Sequence, residues 1–178
     1  MIFSISILTM FKNTLKIKLL ALIGLLLVSP ASIANTEGDR LLGFWFTEDD
    51  KATVEVYFEG GEYYGTIVAL KEPLYPAGHE SGLAGQPKVD RNNPKVSKQD
   101  QSIIGLNLLR GFVYMGNDKW QKGKIYDAEN GKDYDCNIKL KDDGTLSVRG
   151  YIGLALFGRT TVWRRSSAVE EQVISYEY

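Results

Sequence analysis

The chain has 178 residues, with 21 Lys and Arg against 22 Asp and Glu, for a formal charge of −1. A nearly neutral chain lacks the basic stripe that a nucleic-acid partner requires and the excess of cations that would draw it onto anionic lipid. Its length suits one domain with a single core, and its lone cysteine, Cys136, excludes an intrachain disulfide.

Leu19 to Val28 is an uncharged, almost wholly aliphatic run, preceded by Lys12, Lys16 and Lys18 and followed by Pro30 and Ser32-Ile33-Ala34. A basic segment, an apolar segment and a small-residue cleavage site in that order predict a secretory leader over residues 1–34. The run falls short of the roughly 20 apolar residues a membrane span needs, so no stable anchor is expected. Met10, just upstream of the lysines, is a candidate alternative start. The mature domain is expected over 35–168, in the periplasm or secreted, with a polar tail over 169–178.

Period-two patterning then predicts strands. Gly43 to Glu48 sets Phe44 and Phe46 against Trp45. Thr53 to Glu59 sets Val54, Val56 and Phe58 against Thr53, Glu55 and Tyr57. Gly60-Gly61 supplies the positive φ of a tight hairpin, and Glu62 to Leu70 returns. From Lys71 to Ile103 the period is lost among Pro73, Pro76, Pro87, Pro94, Gly78, Gly82 and Gly85. A connection this long predicts an ordered excursion with a helical turn or two, or a lid.

Strands resume at Gly105, with Leu106, Leu108 and Arg110 opposed to Asn107 and Leu109. Lys119 to Tyr126 follows, anchored by Trp120. After the Asn130-Gly131 turn, Tyr134, Cys136, Ile138 and Leu140 alternate with Asp133, Asp135, Asn137 and Lys139. Leu146, Val148, Gly150 and Ile152 oppose Ser147, Arg149 and Tyr151. Arg159 to Arg165 ends the set, with Thr161 and Trp163 on one face. Eight strands joined mostly by hairpins predict an all-β, antiparallel up-and-down barrel, because closure satisfies both sheet edges. A two-sheet sandwich is the alternative.

Gly43-x-Trp45 near the mature start resembles the opening of a lipocalin-type barrel, with Arg164 or Arg165 as a cap on the indole. A longer set of motifs resembles the bacterial DUF2147 family. It comprises Gly65-x-Ile67, Asp90-x-x-Asn93-Pro94, Ile104-Gly105-Leu106, Trp120-x-x-Gly123-x-Ile125-Tyr126-Asp127, Gly131-Lys132-x-Tyr134-x-Cys136, Leu146-x-Val148-Arg149-Gly150-Tyr151-Ile152-Gly153 and Leu156-x-Gly158-Arg159-Thr160-x-x-Trp163-x-Arg165. The resemblance covers residues 41 to 165. It implies a secreted, lipocalin-like single domain of Gram-negative bacteria and carries no particular activity with it. Where members often show an arginine-rich turn before Ile-Gly-Leu, this chain has Ser97-Lys98-Gln99-Asp100.

The chemistry-bearing residues favour binding over catalysis. No nucleophile elbow, zinc-helix motif or phosphate loop is present, and His79 stands alone in a loop. Asp127, Glu129, Asp133 and Asp135 surround a turn without EF-hand spacing, so a solvated hairpin is expected there and no metal. Cys136 is expected to be a buried small hydrophobe. No cofactor is expected.

Trp45, Trp120, Trp163 and Tyr151 are the candidate walls or floor of a pocket for a small apolar or amphipathic molecule. Arg149 is its candidate polar contact, outside the barrel or inside according to which face is covered. Asp90, Asn93 and Asp127 are candidate polar support. Two other readings stay open. One is an envelope module that meets a protein or glycan through residues 71–103. The other is a hydrolase using carboxylates near Asp90 and Asp127.

Overall fold

The computed structural model describes residues 37–79 and 82–166; the expected leader and the tail over 169–178 lie outside the described residues. The strands are β1 (Gly43–Phe46), β2 (Ala52–Glu59), β3 (Glu62–Leu70), β4 (Asn107–Tyr114), β5 (Lys119–Asp127), β6 (Lys132–Leu140), β7 (Leu146–Tyr151) and β8 (Arg159–Arg165). Each pairs antiparallel with the next, and Trp45–Arg165 and Phe46–Arg164 join β1 to β8, so the sheet closes. Closure decides for the barrel and against the sandwich.

The inward face follows the alternation of the side chains. β6 buries Cys136, Ile138 and Leu140 and turns Asp133, Asp135 and Lys139 outward. Three irregularities re-phase the wall. β3 carries an extra residue, Val68, opposite the Thr53/Val54 step of β2, and β5 bulges between Trp120 and Gly123, beside the left-handed Lys122. In β4 the positive φ of Gly111 lets the chain step over one residue, so that Leu109 and Phe112 are both buried. Of the two expected faces, Leu109 supplies the core residue, while Leu108 and Arg110 opposite it are half-buried and Leu106 precedes the strand. Strand β7 likewise stops at Tyr151, one residue short of Ile152, which stands in the following loop.

The two ends of the barrel differ. One carries the tight turns after β2, β4 and β6, and is plugged by a 3₁₀ turn, Gly38–Leu41, whose Leu41 is fully buried. The other carries the connections β1–β2, β3–β4, β5–β6 and β7–β8. The long β3–β4 excursion is ordered by two isolated bridges, Leu74–Pro87 and Val89–Ser102, and a 3₁₀ turn at Val96–Lys98. It is seated on the β5–β6 hairpin, where Asn92 Nδ2 donates to Glu129 O at 2.8 Å. Gly131 is required at that seat, since a Cβ there would come 1.8 Å from Asn92 O. Among the described residues no helix is long and apolar enough to cross a membrane.

Candidate functional site at the barrel mouth

The interior is a floor below and a cup above. At the plugged end Trp45, Trp120 and Trp163 expose 2% or less and pack with Tyr63, Phe112 and Leu109. Trp45 Nε1 donates to Leu41 O at 2.8 Å. Arg165 lies 4.2 Å over the Trp45 ring and donates to Leu42 O at 2.9 Å and Arg40 O at 2.6 Å. The guanidinium thus lies against the aromatic face while its N–H groups satisfy carbonyls of the plug. Arg164, on the outer face, lies 4.2 Å over Phe46 instead. Phe112 fills the barrel against Gly123, where a Cβ would meet its ring at 2.4 Å. Nearer the mouth the inward positions Ile125, Tyr134, Gly150 and Thr161 are only half-buried.

A cleft of about 860 Å³ lies between the β1–β2, β3–β4 and β5–β6 connections, and none of these four inward residues lines it. Leu70, Val89 and Ile103 give it an apolar side. Lys51, Lys71, Lys88 and Arg91 bring cations to it, and Asp49, Glu72 and Glu129 bring carboxylates. A second cleft of about 690 Å³ lies outside the wall, between residues 93–107 and the outer side chains Arg110, Tyr126 and Asp133; Arg110 and Asp133 form an ion pair.

The structure places the expected site residues in three groups. Trp45, Trp120 and Trp163 meet in the floor. Arg149 and Tyr151 stand on the outer face of β7, since their neighbours Leu146 and Val148 are the buried ones. Arg149 donates to Thr160 Oγ1 at 2.7 Å and Leu156 O at 3.1 Å, bracing the β7–β8 loop. The tryptophans and this pair are therefore separated by the wall.

Asp90 and Asn93 come together beneath the excursion. Tyr126 Oη donates to Asp90 at 2.9 Å, and Asn93 Nδ2 donates to the same carboxylate at 2.7 Å. Burial, then the Asp90 carboxylate, pushes the Tyr126 hydroxyl up to about 12. Asp127 lies apart from that pair and caps its hairpin, accepting from Glu129 N at 2.9 Å and Asn130 Nδ2 at 2.7 Å.

Nucleophilic and metal chemistry have little material here. Burial pushes the Cys136 thiol up to about 12, leaving it protonated and unreactive. Among the described residues no three His, Cys, Asp or Glu side chains converge in a way that could hold a metal.

Comparison with known protein families matches residues 43–165 to a model described as an uncharacterized protein conserved in bacteria, DUF2147. The chain belongs to the DUF2147 family. Among solved structures it is similar to protein HP1028 of Helicobacter pylori, described as belonging to the lipocalin family. The identity is 22%, over 76% of this chain and 88% of that one, with a TM-score of 0.60. That likeness shows the fold: the DUF2147 chain is a lipocalin-like barrel. A comparison with curated proteins found no match.

The residues that sequence reasoning missed in this DUF2147 chain are Lys51 and Lys71 at the mouth. Counting back from the Gly60-Gly61 turn through Tyr57–Tyr64 sets Lys51 opposite Leu70. The bulge at Thr53/Val54 shifts the ladder by one, so that Ala52 meets Leu70 and Lys71 N donates to Lys51 O at 3.0 Å.

Proposed function

We propose that this DUF2147 protein is a non-catalytic carrier that reversibly holds one small amphipathic molecule at the mouth of its barrel, in the bacterial periplasm after removal of its leader. The observation that carries the reading is the contrast between a sealed aromatic floor at one end of the barrel and an open cleft of about 860 Å³ among the connections at the other. That volume lies within the roughly 300–1,000 Å³ of small-molecule sites, and an apolar side bordered by a few charged groups is the lining such sites have. The filled floor limits the depth of entry, so the ligand is small, or only its apolar end enters. Binding releases nothing covalent, in keeping with an unreactive thiol.

Native mass spectrometry of protein purified from its own envelope tests this. A co-purified small molecule that is lost when tryptophan replaces Leu70 or Ile103, both of which line the cleft, supports the carrier. Apoprotein under gentle conditions, together with no uptake of added amphiphiles, ends it.

One observation favours a second reading, an envelope interaction module. Ile152, Leu154, Leu156 and Phe157 are 66–79% exposed on the β7–β8 loop. A photo-crosslinker in place of Phe157 would capture an envelope protein under that reading and only solvent under the first.

A further inference from the structure

Lys51 and Lys71 are a mismatch that a ligand would resolve. They lie one step beyond the Ala52–Leu70 pair, where Lys71 N donates to Lys51 O at 3.0 Å, and both line the mouth cleft. Lys51 stands at the end of the 3₁₀ turn that precedes β2, with φ −61° and ψ −35°, so its main-chain bond to Lys71 brings two like charges to one lip of the cleft. Among the described residues neither lysine has a carboxylate within 4.0 Å, and neither does Arg91, which reaches the same cleft from the excursion.

The carboxylates that could serve are largely occupied or offset. Asp50 feels the charge of Lys71, but its two oxygens accept Nε and Nη2 of Arg164 at 2.8 and 2.7 Å. Glu72 lies 3.7 Å from Lys88. Asp49 and Glu129 also border the cleft, which leaves four cations facing three carboxylates around it. Leu70, adjacent to Lys71, and Ile103 bring apolar surface to the same lip.

From this arrangement we infer that the molecule held at the mouth is an anionic amphiphile. Its alkyl end lies against Leu70 and Ile103, and its carboxylate or phosphate head bridges Lys51 and Lys71, with Arg91 as a further donor. This rests on the carrier reading above and adds the ligand's charge to it. The head lies at the lip, where both ammonium groups keep partial hydration, and the tail enters where water is already partly excluded. An uncharged head of similar size would leave the two like charges at the lip as they are.

Calorimetric titration with matched probes tests the inference. Decanoate and decyl phosphate should bind, and decan-1-ol should bind about tenfold or more weakly, the value of one or two charge-assisted contacts. The double variant Lys51→Ala, Lys71→Ala should bring decanoate to the level of the alcohol, while Lys51→Arg, Lys71→Arg retains the preference. Both positions are exposed, so an unchanged melting temperature confirms that each variant folds. Equal binding of decanoate and decan-1-ol, insensitive to the double alanine variant, overturns the anionic head and leaves the carrier standing. Inorganic phosphate binding as tightly as decyl phosphate overturns the amphiphilic carrier and leaves the anion site. Binding of no probe overturns both.

Discussion

Tyr126 shows how one hydroxyl holds an excursion to a wall. Its Oη supplies Asp90, a fully buried carboxylate whose other side-chain donor is Asn93. Removing one partner of a buried charged group costs about 1–3 kcal/mol or more, since the group loses water as well as its donor. Tyr126→Phe is therefore expected to lower unfolding stability by that amount in urea titrations. It should also raise amide exchange around Asp90 to Asn93 ahead of the barrel strands. The same chemistry sets an alkaline limit. Tyr63 and Tyr126 are both pushed up to about 12, chiefly by burial and next by a carboxylate, Asp39 for Tyr63 and Asp90 for Tyr126. A raised tyrosine pKa favours the neutral form in the fold, so this stability is complete below about 10, the unfolded value, and is lost as pH rises toward 12. Melting temperatures measured from pH 9 to 12 should fall across that window, with a shallower slope in Tyr126→Phe.

Among the elements, β1 is the shortest strand and its seam with β8 the least paired, with two residue pairs where β2 and β3 have eight. The β1–β2 loop reinforces the seam through ion pairs Glu48–Arg159 and Asp50–Arg164. It does so with Asp49 and Asp50 both in the left-handed region, a conformation that costs non-glycine residues energy. Arg164 holds the Asp50 carboxyl below its usual range. A depressed carboxylate pKa contributes stability above the unfolded value and loses it as pH falls through the folded one. Asp50→Asn should accordingly speed amide exchange in Arg159 to Val162 at neutral pH and match the wild type once the carboxyl is protonated. The opposite wall depends on volume. Gly123→Ala would drive a methyl into the Phe112 ring, and overpacking of this kind costs about 1–3 kcal/mol. Chemical denaturation should show that loss, and Phe112→Leu in the same chain should restore part of it.

For the whole molecule, the plug and the mouth divide the labour. Trp45, Arg165 and Leu41 close one end with cation–π and main-chain contacts, and the cleft lies among the connections at the other. The proposed periplasmic location predicts that protein recovered from the periplasm begins at Asn35. Terminal sequencing that finds the leader intact in the exported protein would refute it.

Much of this barrel was legible in the chain because local rules govern it. Alternation set out the two faces of β6, β7 and β8, glycine turns named the hairpins, and Gly43-x-Trp45 with Arg164 or Arg165 pointed to a capped indole, which Arg165 caps. The candidate site was less legible, because a side chain's face depends on register, and register depends on bulges that period-two counting passes over. Arg149 was left open between two faces until Leu146 and Val148 were seen to be buried. The sequence by itself determined where strands begin and turn, since backbone preference and side-chain polarity act over a few residues. Only the tertiary structure decided that β1 meets β8, that the tryptophans seal a floor, and that Lys51 and Lys71 share one lip of the mouth cleft. Those contacts join residues far apart in the chain, and one extra residue in a ladder is enough to move them.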